Sequence, residues 1–297
     1  MTVTRRQFGT SFGMGLLAGT LSTHADSAPL GATGNLEQEF ARLDAQSGGR
    51  LGVAVFDTGT GQQAGHRAAE RFPMCSTFKA LACAAVLARV DAGREDLERR
   101  IRYSVSDVLS YAPVTKDHAG EGGMTIGELC AAAITLSDNT AANLILASLG
   151  GPSAITAFAR SLGDSITRLD RIEGDLNEAK PGDPRDTTTP EAMASDLRVL
   201  VTGDALSRRS RDQFMTWLVG CQTGGAKLRA GVPATWRVGD KTGSGGHGTT
   251  NDIALMWPPG RAPMIVCVYL TETATSSNEA NATFVAVGQA VKAMLAA

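Results

Sequence analysis

The sequence predicts an α/β plus all-α architecture in which both ends of the chain build one sheet and the middle supplies an inserted helical domain. Three observations predict it. Apolar residues alternate in 49–61, GRLGVAVFDTGTG, with the period of two that marks a strand entering a turn. Two further apolar runs within 250–271 are divided by Pro258-Pro259-Gly260, a strong turn signal. Between these ends the apolar spacing becomes helical, as in TIGELCAAAITLSDNTAANLILASLGG, 125–151. On this reading 26–68 and 221–297 form a discontinuous α/β domain, and 69–220 an all-helical one.

Taken in chain order, the first 25 residues stand apart. Arg5-Arg6 precedes an apolar, Gly-softened stretch from Phe8 to Leu21 and then small residues ending Thr23-His24-Ala25. This is the layout of an export signal of the twin-arginine type, and its apolar part is too short and Gly-rich for a good transmembrane helix. A periplasmic or secreted protein, free of the membrane once the signal is removed, is expected. The stretch 74–90, MCSTFKALACAAVLARV, is apolar enough for a buried helix. Gly150-Gly151 stops the helical run before it, and Thr189-Pro190 opens another helix with a cap and a first-turn proline. TWRVGDKTGSG, 235–245, is a short strand ahead of the Pro-Pro-Gly pair, and the Ala-rich last twenty residues read as helix.

Composition excludes more than it identifies. Twenty-eight basic residues face 30 acidic ones with no basic block, so nucleic acid and anionic membranes are poor partners. The five cysteines form no C-x-x-C pair, and His24, His66, His118 and His247 lack metal-ligand spacing. No metal site and no cofactor are expected, and nothing forces oligomerisation, which leaves a monomer.

Chemistry is concentrated in a few short motifs. Ser76 and Lys79 are three apart, so both project to one side of a helix start. A lysine among apolar residues is costly as a cation, which favours the neutral amine. A neutral amine beside a hydroxyl can take its proton and make the serine a nucleophile. Ser137-Asp138-Asn139 lies between two helices, and Lys241-Thr242-Gly243 on a strand followed by Ser244. A second serine can relay a proton to a leaving nitrogen, and a second lysine can hold an anionic substrate group.

These three motifs, in this order, resemble the signature of class A β-lactamases and penicillin-binding proteins. The charged stretch 168–190, RLDRIEGDLNEAKPGDPRDTTTP, resembles the omega loop (168–186 here) that the β-lactamases possess and penicillin-binding proteins lack. The resemblance covers the chain from about Asn35 onward. It implies an antiparallel sheet flanked by N- and C-terminal helices with an inserted helical domain, and hydrolysis of penicillins and cephalosporins through a serine acyl-enzyme, which confers antibiotic resistance. Ser76 would be the nucleophile, with its proton passing to Lys79 or, through water, to Glu173. Ser137 would protonate the ring nitrogen, and Glu173 with Asn177 would hold the hydrolytic water. Lys241, Thr242, Gly243 and Ser244 would bind the substrate carboxylate, Asn139 the acylamide side chain, and Tyr111 one wall of the cleft. Asp138 would be structural, Arg171–Asp186 would close the base of the loop with help from Arg168–Asp170, and Cys83 and Cys130 match a disulfide pair of some members.

The sequence also departs from the family pattern. Thr250 occupies the place where many members have a carboxylate-binding arginine, and Lys227 is a candidate substitute. Gly174 follows Glu173 where many relatives have proline, and Cys75 has no cysteine partner at Gly245. The run Ser244-Gly245-Gly246 resembles members with broad cephalosporin activity. Two other readings, a DD-peptidase inhibited by β-lactams and a sensor that stays acylated, are opposed by the pair Glu173–Asn177.

Overall fold

A computed structural model describes residues 31–120 and 122–295; the export segment expected at 1–25 lies outside them. The strands are β1 (Arg50–Asp57), β2 (Gln63–His66), β3 (Phe72–Pro73), β4 (Arg100–Ile101), β5 (Met124–Thr125), β6 (Thr187–Thr188), β7 (Arg237–Ser244), β8 (Thr250–Trp257) and β9 (Met264–Thr271). The helices are α1 (Gly31–Gln46), α2 (Phe78–Asp91), α3 (Ile126–Thr135), α4 (Asn139–Leu149), α5 (Ser153–Ser161), α6 (Pro190–Thr202), α7 (Arg208–Val219) and α8 (Ser277–Met294).

Five strands pair antiparallel in the order β2-β1-β9-β8-β7. The two ends of the chain thus share one sheet, with β1 lying against β9 in the register Val53↔Val268. Alternation decides what each strand residue covers. Val266, Val268 and Leu270 join a core with Phe40 of α1 and Phe284 and Val287 of α8. Their neighbours Ile265, Cys267 and Tyr269 join a second core with α2, α3, α4 and α6. Because both faces are covered, β9 is buried at every position.

In the second core α2 is buried from Phe78 through Leu87. That explains its apolar composition on all sides, since a helix enclosed by neighbours has no solvent face to make polar. Local signals set the helix ends. Thr125 caps α3 in a reciprocal box with Glu128, Asp138 caps α4, Gly150 ends α4 in the left-handed region, and Thr189 caps α6 with Pro190 in its first turn. Each of the three N-caps contributes about 1 kcal/mol.

Cys83 on α2 and Cys130 on α3 correct the disulfide expectation. Both thiols are free, and the Cys83 Sγ–H donates to the Cys130 carbonyl over 3.7 Å. Burial, and next the adjacent Cys83 thiol, pushes the Cys130 thiol well up. With few thiolates available, Cys130 is a poor nucleophile, and the two buried side chains pack as small hydrophobes.

Candidate active site

Ser76 sits in a short 3-10 turn, Cys75–Thr77, that runs directly into α2. Cys75 has a φ of 44°, a left-handed conformation that costs a non-glycine residue roughly 1–3 kcal/mol and persists only where surroundings enforce it. Asn251 of β8 supplies that enforcement, with Nδ2 donating to the carbonyls of Pro73 and Met74 at 2.9 and 3.0 Å. Ser137 also has a positive φ, 59°, immediately before the Asp138 cap. Asp138 is fully buried and accepts from the backbone of Val114, Thr115 and Ala141 at 2.9 Å each. It therefore ties the loop bearing Tyr111 to the start of α4.

The opening of α2 places Lys79 one turn beyond Ser76, fully buried. Its Nζ donates to the Ser137 carbonyl at 2.8 Å and to Asn139 Oδ1 at 2.7 Å, and lies 2.8 Å from Glu173 Oε1. Burying an unpaired ammonium would cost several kcal/mol; here three acceptors converge on it. Desolvation nonetheless dominates and holds its pKa below the usual lysine range, with Glu173 opposing.

Glu173 is 97 residues from Ser76 in sequence, yet the Ser76 hydroxyl donates to its Oε1 at 3.0 Å. Asn177, one turn along a 3-10 helix, donates to Oε2 at 2.5 Å. The carboxylate thus receives donors on both oxygens in a buried position. Asn177 Oδ1 is buried without a protein donor. The loop holding this carboxylate is fixed at its base by Asp186, which accepts from Arg171 Nε at 2.6 Å and from the backbone N–H groups of Asp170 and Arg171 at 2.7 and 2.9 Å. Arg168 pairs with Asp170 at 2.6 Å. Gly174 has a φ of 32°, a region closed to proline, so glycine there follows from this turn.

Lys241 projects from β7 toward the same centre, donating to Ser137 Oγ at 3.0 Å and to the Thr242 carbonyl at 2.6 Å. Ser137 Oγ is thereby flanked by two lysines, since Lys79 Nζ is 3.4 Å away. Burial, followed by the Lys79 charge, pushes Lys241 down to about 7. Beyond Ser244, Gly245 is required by contact: a Cβ there would lie 2.6 Å from Cys75 Sγ and 2.7 Å from the Asn177 carbonyl. Any side chain would force apart the Ser76 turn and the loop.

A cleft of about 390 Å³ opens over Ser76. Ser137, Asn139, Tyr111 and Asn177 line it together with Thr242, Gly243 and Ser244. So does Lys227, a buried residue whose Nζ donates to Thr250 Oγ1 at 2.6 Å and to the Asn251 carbonyl at 3.0 Å. Cys83 and Cys130 are placed away from this cleft, in the helical core.

Three contributors went unread in the sequence. Thr223 lines the cleft and shares a hydrogen bond with Thr242 over 2.5 Å. Asn143 brackets the Glu173 backbone, donating to its carbonyl at 3.0 Å and accepting from its N–H at 2.9 Å. Asn143 carried a usable signal, since it lies four residues after Asn139 on one helical face; Asn251 and Thr223 carried none.

The profile of the β-lactamase enzyme family matches residues 35–295. β-Lactamase CTX-M-8 of Citrobacter amalonaticus is 53% identical over 247 residues, 83% of this chain and 84% of that protein. β-Lactamase AST-1 of Nocardia asteroides is 52% identical over 246 residues, 83% of this chain and 79% of its own length. Among solved structures, an ancestral (GNCA) class A β-lactamase superposes with a TM-score of 0.86 at 63% identity, covering 87% of this chain and 99% of that one. The putative class A β-lactamase PenP from Rhodopseudomonas palustris gives 0.86 at 61% identity, with the same coverage.

Proposed function

Because the chain belongs to class A of the β-lactamase enzyme family, a family of serine hydrolases of β-lactams that confer antibiotic resistance, we propose that Ser76 opens the ring amide of penicillins and cephalosporins and that Glu173 releases the product. The observation that carries this assignment is the convergence on Glu173 Oε1, with the Ser76 hydroxyl at 3.0 Å and Lys79 Nζ at 2.8 Å.

In acylation Ser76 Oγ bonds to the carbonyl carbon, and the ring C–N bond breaks. The Ser76 proton goes to the Glu173–Lys79 pair, and Ser137, held between Lys79 and Lys241, gives its proton to the departing ring nitrogen. Backbone N–H groups of Ser76 and Ser244 receive the developing oxyanion. In deacylation Glu173 takes a proton from a water, the hydroxide equivalent attacks the ester carbon, and Ser76 leaves reprotonated. Asn177 Oδ1, a buried acceptor with a free lone pair, supports Asn177 as the second grip on that water.

Lys241, Thr242, Gly243 and Ser244 bind the substrate carboxylate, with Lys227 supplying the cation that Thr250 does not. Asn139 meets the acylamide group and Tyr111 forms a wall. The reading of 26–68 with 221–297 as an α/β domain and 69–220 as a helical one assigns this cleft to their junction, with Ser76, Ser137 and Asn139 from the second and Thr242, Gly243 and Ser244 from the first. Arg5-Arg6 and the apolar stretch behind them direct export by the twin-arginine route, so the enzyme acts in the periplasm or outside the cell.

The test is turnover of a chromogenic cephalosporin with and without a zinc chelator. Sustained turnover insensitive to chelation is expected; a stoichiometric burst that stops would favour a sensor or penicillin-binding protein. A second expectation concerns pH. With Lys241 pushed down to about 7, its ammonium is present below that pH and lost as pH rises through it. In the free enzyme kcat/KM for a carboxylate-bearing β-lactam should therefore fall on the alkaline side from about pH 7. Lys241→Arg, which cannot lose its proton, should abolish that limb; a limb unchanged in the variant would assign it to another group.

A further inference from the structure

The β7 side of the cleft contains a chain of three small polar side chains. Thr242, on β7, is buried and lines the cleft. Its Oγ1 lies 2.5 Å from Thr223 Oγ1, and Thr223 Oγ1 lies 3.3 Å from the Sγ of the buried Cys221. Among the described residues Thr242 Oγ1 has no other hydrogen-bond partner; Lys241 Nζ donates to the Thr242 carbonyl instead. The segment bearing Cys221 and Thr223 is fixed where α7 ends. The Cys221 N–H donates to the Leu218 carbonyl at 3.1 Å, and the Gln222 N–H to the Thr135 carbonyl of α3 at 2.9 Å. Thr223 is therefore presented to Thr242 by backbone contacts that do not depend on its own side chain.

Proton counting gives this chain a direction. Each hydroxyl carries one proton and can accept while it donates. Two hydroxyl oxygens 2.5 Å apart share one proton between them, supplied by one or the other. If Thr242 supplied it, only the lone pairs of its oxygen would face the cleft, and those repel an anion. If Thr223 supplies it, the Thr242 proton is left for the cleft, where a hydroxyl donating to a carboxylate makes a strong, charge-assisted hydrogen bond. The thiol fits the second direction. Burial, and next the charge of Asp240, raises the Cys221 pKa, so the sulfur keeps its proton and the S–H can donate to the Thr223 oxygen. In the opposite direction the chain would end on sulfur, a weak acceptor.

We propose that Thr223 is the positioning residue of Thr242: its hydroxyl donates to Thr242 Oγ1 and so commits the Thr242 proton to the carboxylate of the substrate. This rests on the reading of Thr242 as a carboxylate ligand. Valine in place of Thr223 would leave the Thr242 oxygen without a donor, and its hydroxyl would be free to turn away from the cleft. Thr223 also lines the cleft, so direct contact with the substrate is the competing role. The two differ in whether Thr223 still matters once Thr242 has lost its hydroxyl.

The experiment is steady-state hydrolysis of benzylpenicillin at about pH 6, where the Lys241 ammonium is present. The variants are Thr242→Val, Thr223→Val, Thr223→Ser and the double variant Thr223→Val/Thr242→Val. Thr242→Val should raise KM by roughly 10- to 100-fold with kcat within about threefold, as for a lost hydrogen bond to a charged group made alike in ground and transition states. Thr223→Val should raise KM by about 3- to 10-fold with the same small change in kcat. Thr223→Ser, which keeps the hydroxyl, should stay within about twofold of the wild type. The double variant should match Thr242→Val, since Thr223 then has nothing to orient. An unchanged KM in Thr242→Val would overturn the carboxylate reading and this proposal with it. A raised KM in Thr242→Val beside an unchanged KM in Thr223→Val would overturn this proposal alone. So would effects that add in the double variant, which make Thr223 a direct contact, or a serine that does not rescue, which makes its methyl group the part that matters. Should Thr223→Val not fold, Thr223→Ala removes the same hydroxyl and is held to the same expectations.

Discussion

Glu173→Gln is expected to turn the enzyme into a stoichiometric trap: one drug molecule per chain is opened, and turnover falls by about 10³- to 10⁴-fold, the upper range for a lost general base. The amide retains the shape of the carboxylate and can still meet Asn177, Lys79 and the Ser76 hydroxyl, but it cannot take a proton. The two half-reactions suffer unequally. Acylation keeps another base beside the nucleophile, because Lys79 is held near the same oxygen and, once the opposing Glu173 charge is gone, burial favours its neutral form. Deacylation requires a proton acceptor facing the ester from the loop side, and there Asn177 offers only an amide. Intact-protein mass spectrometry after mixing with a cephalosporin should show the acyl adduct on Ser76 persisting long after the wild type has cleared it. Normal turnover by the variant would remove Glu173 from the mechanism.

How much of this was legible in the sequence differs from group to group, for physical reasons. Ser76 and Lys79 are three apart, and helix geometry alone brings them to one side, whereas Ser137 and Asn139 meet Lys79 only because Ser137 takes a left-handed conformation ahead of the Asp138 cap. The sheet was legible because alternation and the Pro-Pro-Gly turn are local, and its termini-built topology follows from where the strands fall. Glu173 was different: no rule of spacing brings a residue in a charged loop to within 3.0 Å of Ser76, and only resemblance pointed there. Asn251 was invisible for a related reason. Its role comes from the β7–β8 register and from which carbonyls the Ser76 turn leaves exposed, and a register is a long-range fact. Lys227 could be read as a solvated loop lysine until burial and its contacts with Thr250 and Asn251 placed it in the wall. The Cys83–Cys130 expectation failed because resemblance supplies proximity, while bond formation depends on more than two thiols being neighbours.

Lys79→Met should be the most destabilising single change in the cleft as well as one of the most damaging to activity. Methionine fills much the same volume, so the loss is of charge and hydrogen bonds. Glu173, buried with its Oε1 on Lys79, would keep only neutral donors, and removing one partner of a buried pair costs about 3–5 kcal/mol. In a domain of this size that lowers Tm by roughly 10 °C. Activity should fall by about 10³-fold or more, since the serine loses its neighbouring base and Ser137 and Asn139 lose their common donor. A purely steric origin makes a different forecast from an electrostatic one. If stranded charge is the cause, adding Glu173→Gln to Lys79→Met should raise Tm back toward the wild type even though it removes a second catalytic group. If the double variant melts at or below the single one, the lysine is held in place by packing, and the ion pair contributes little to the fold.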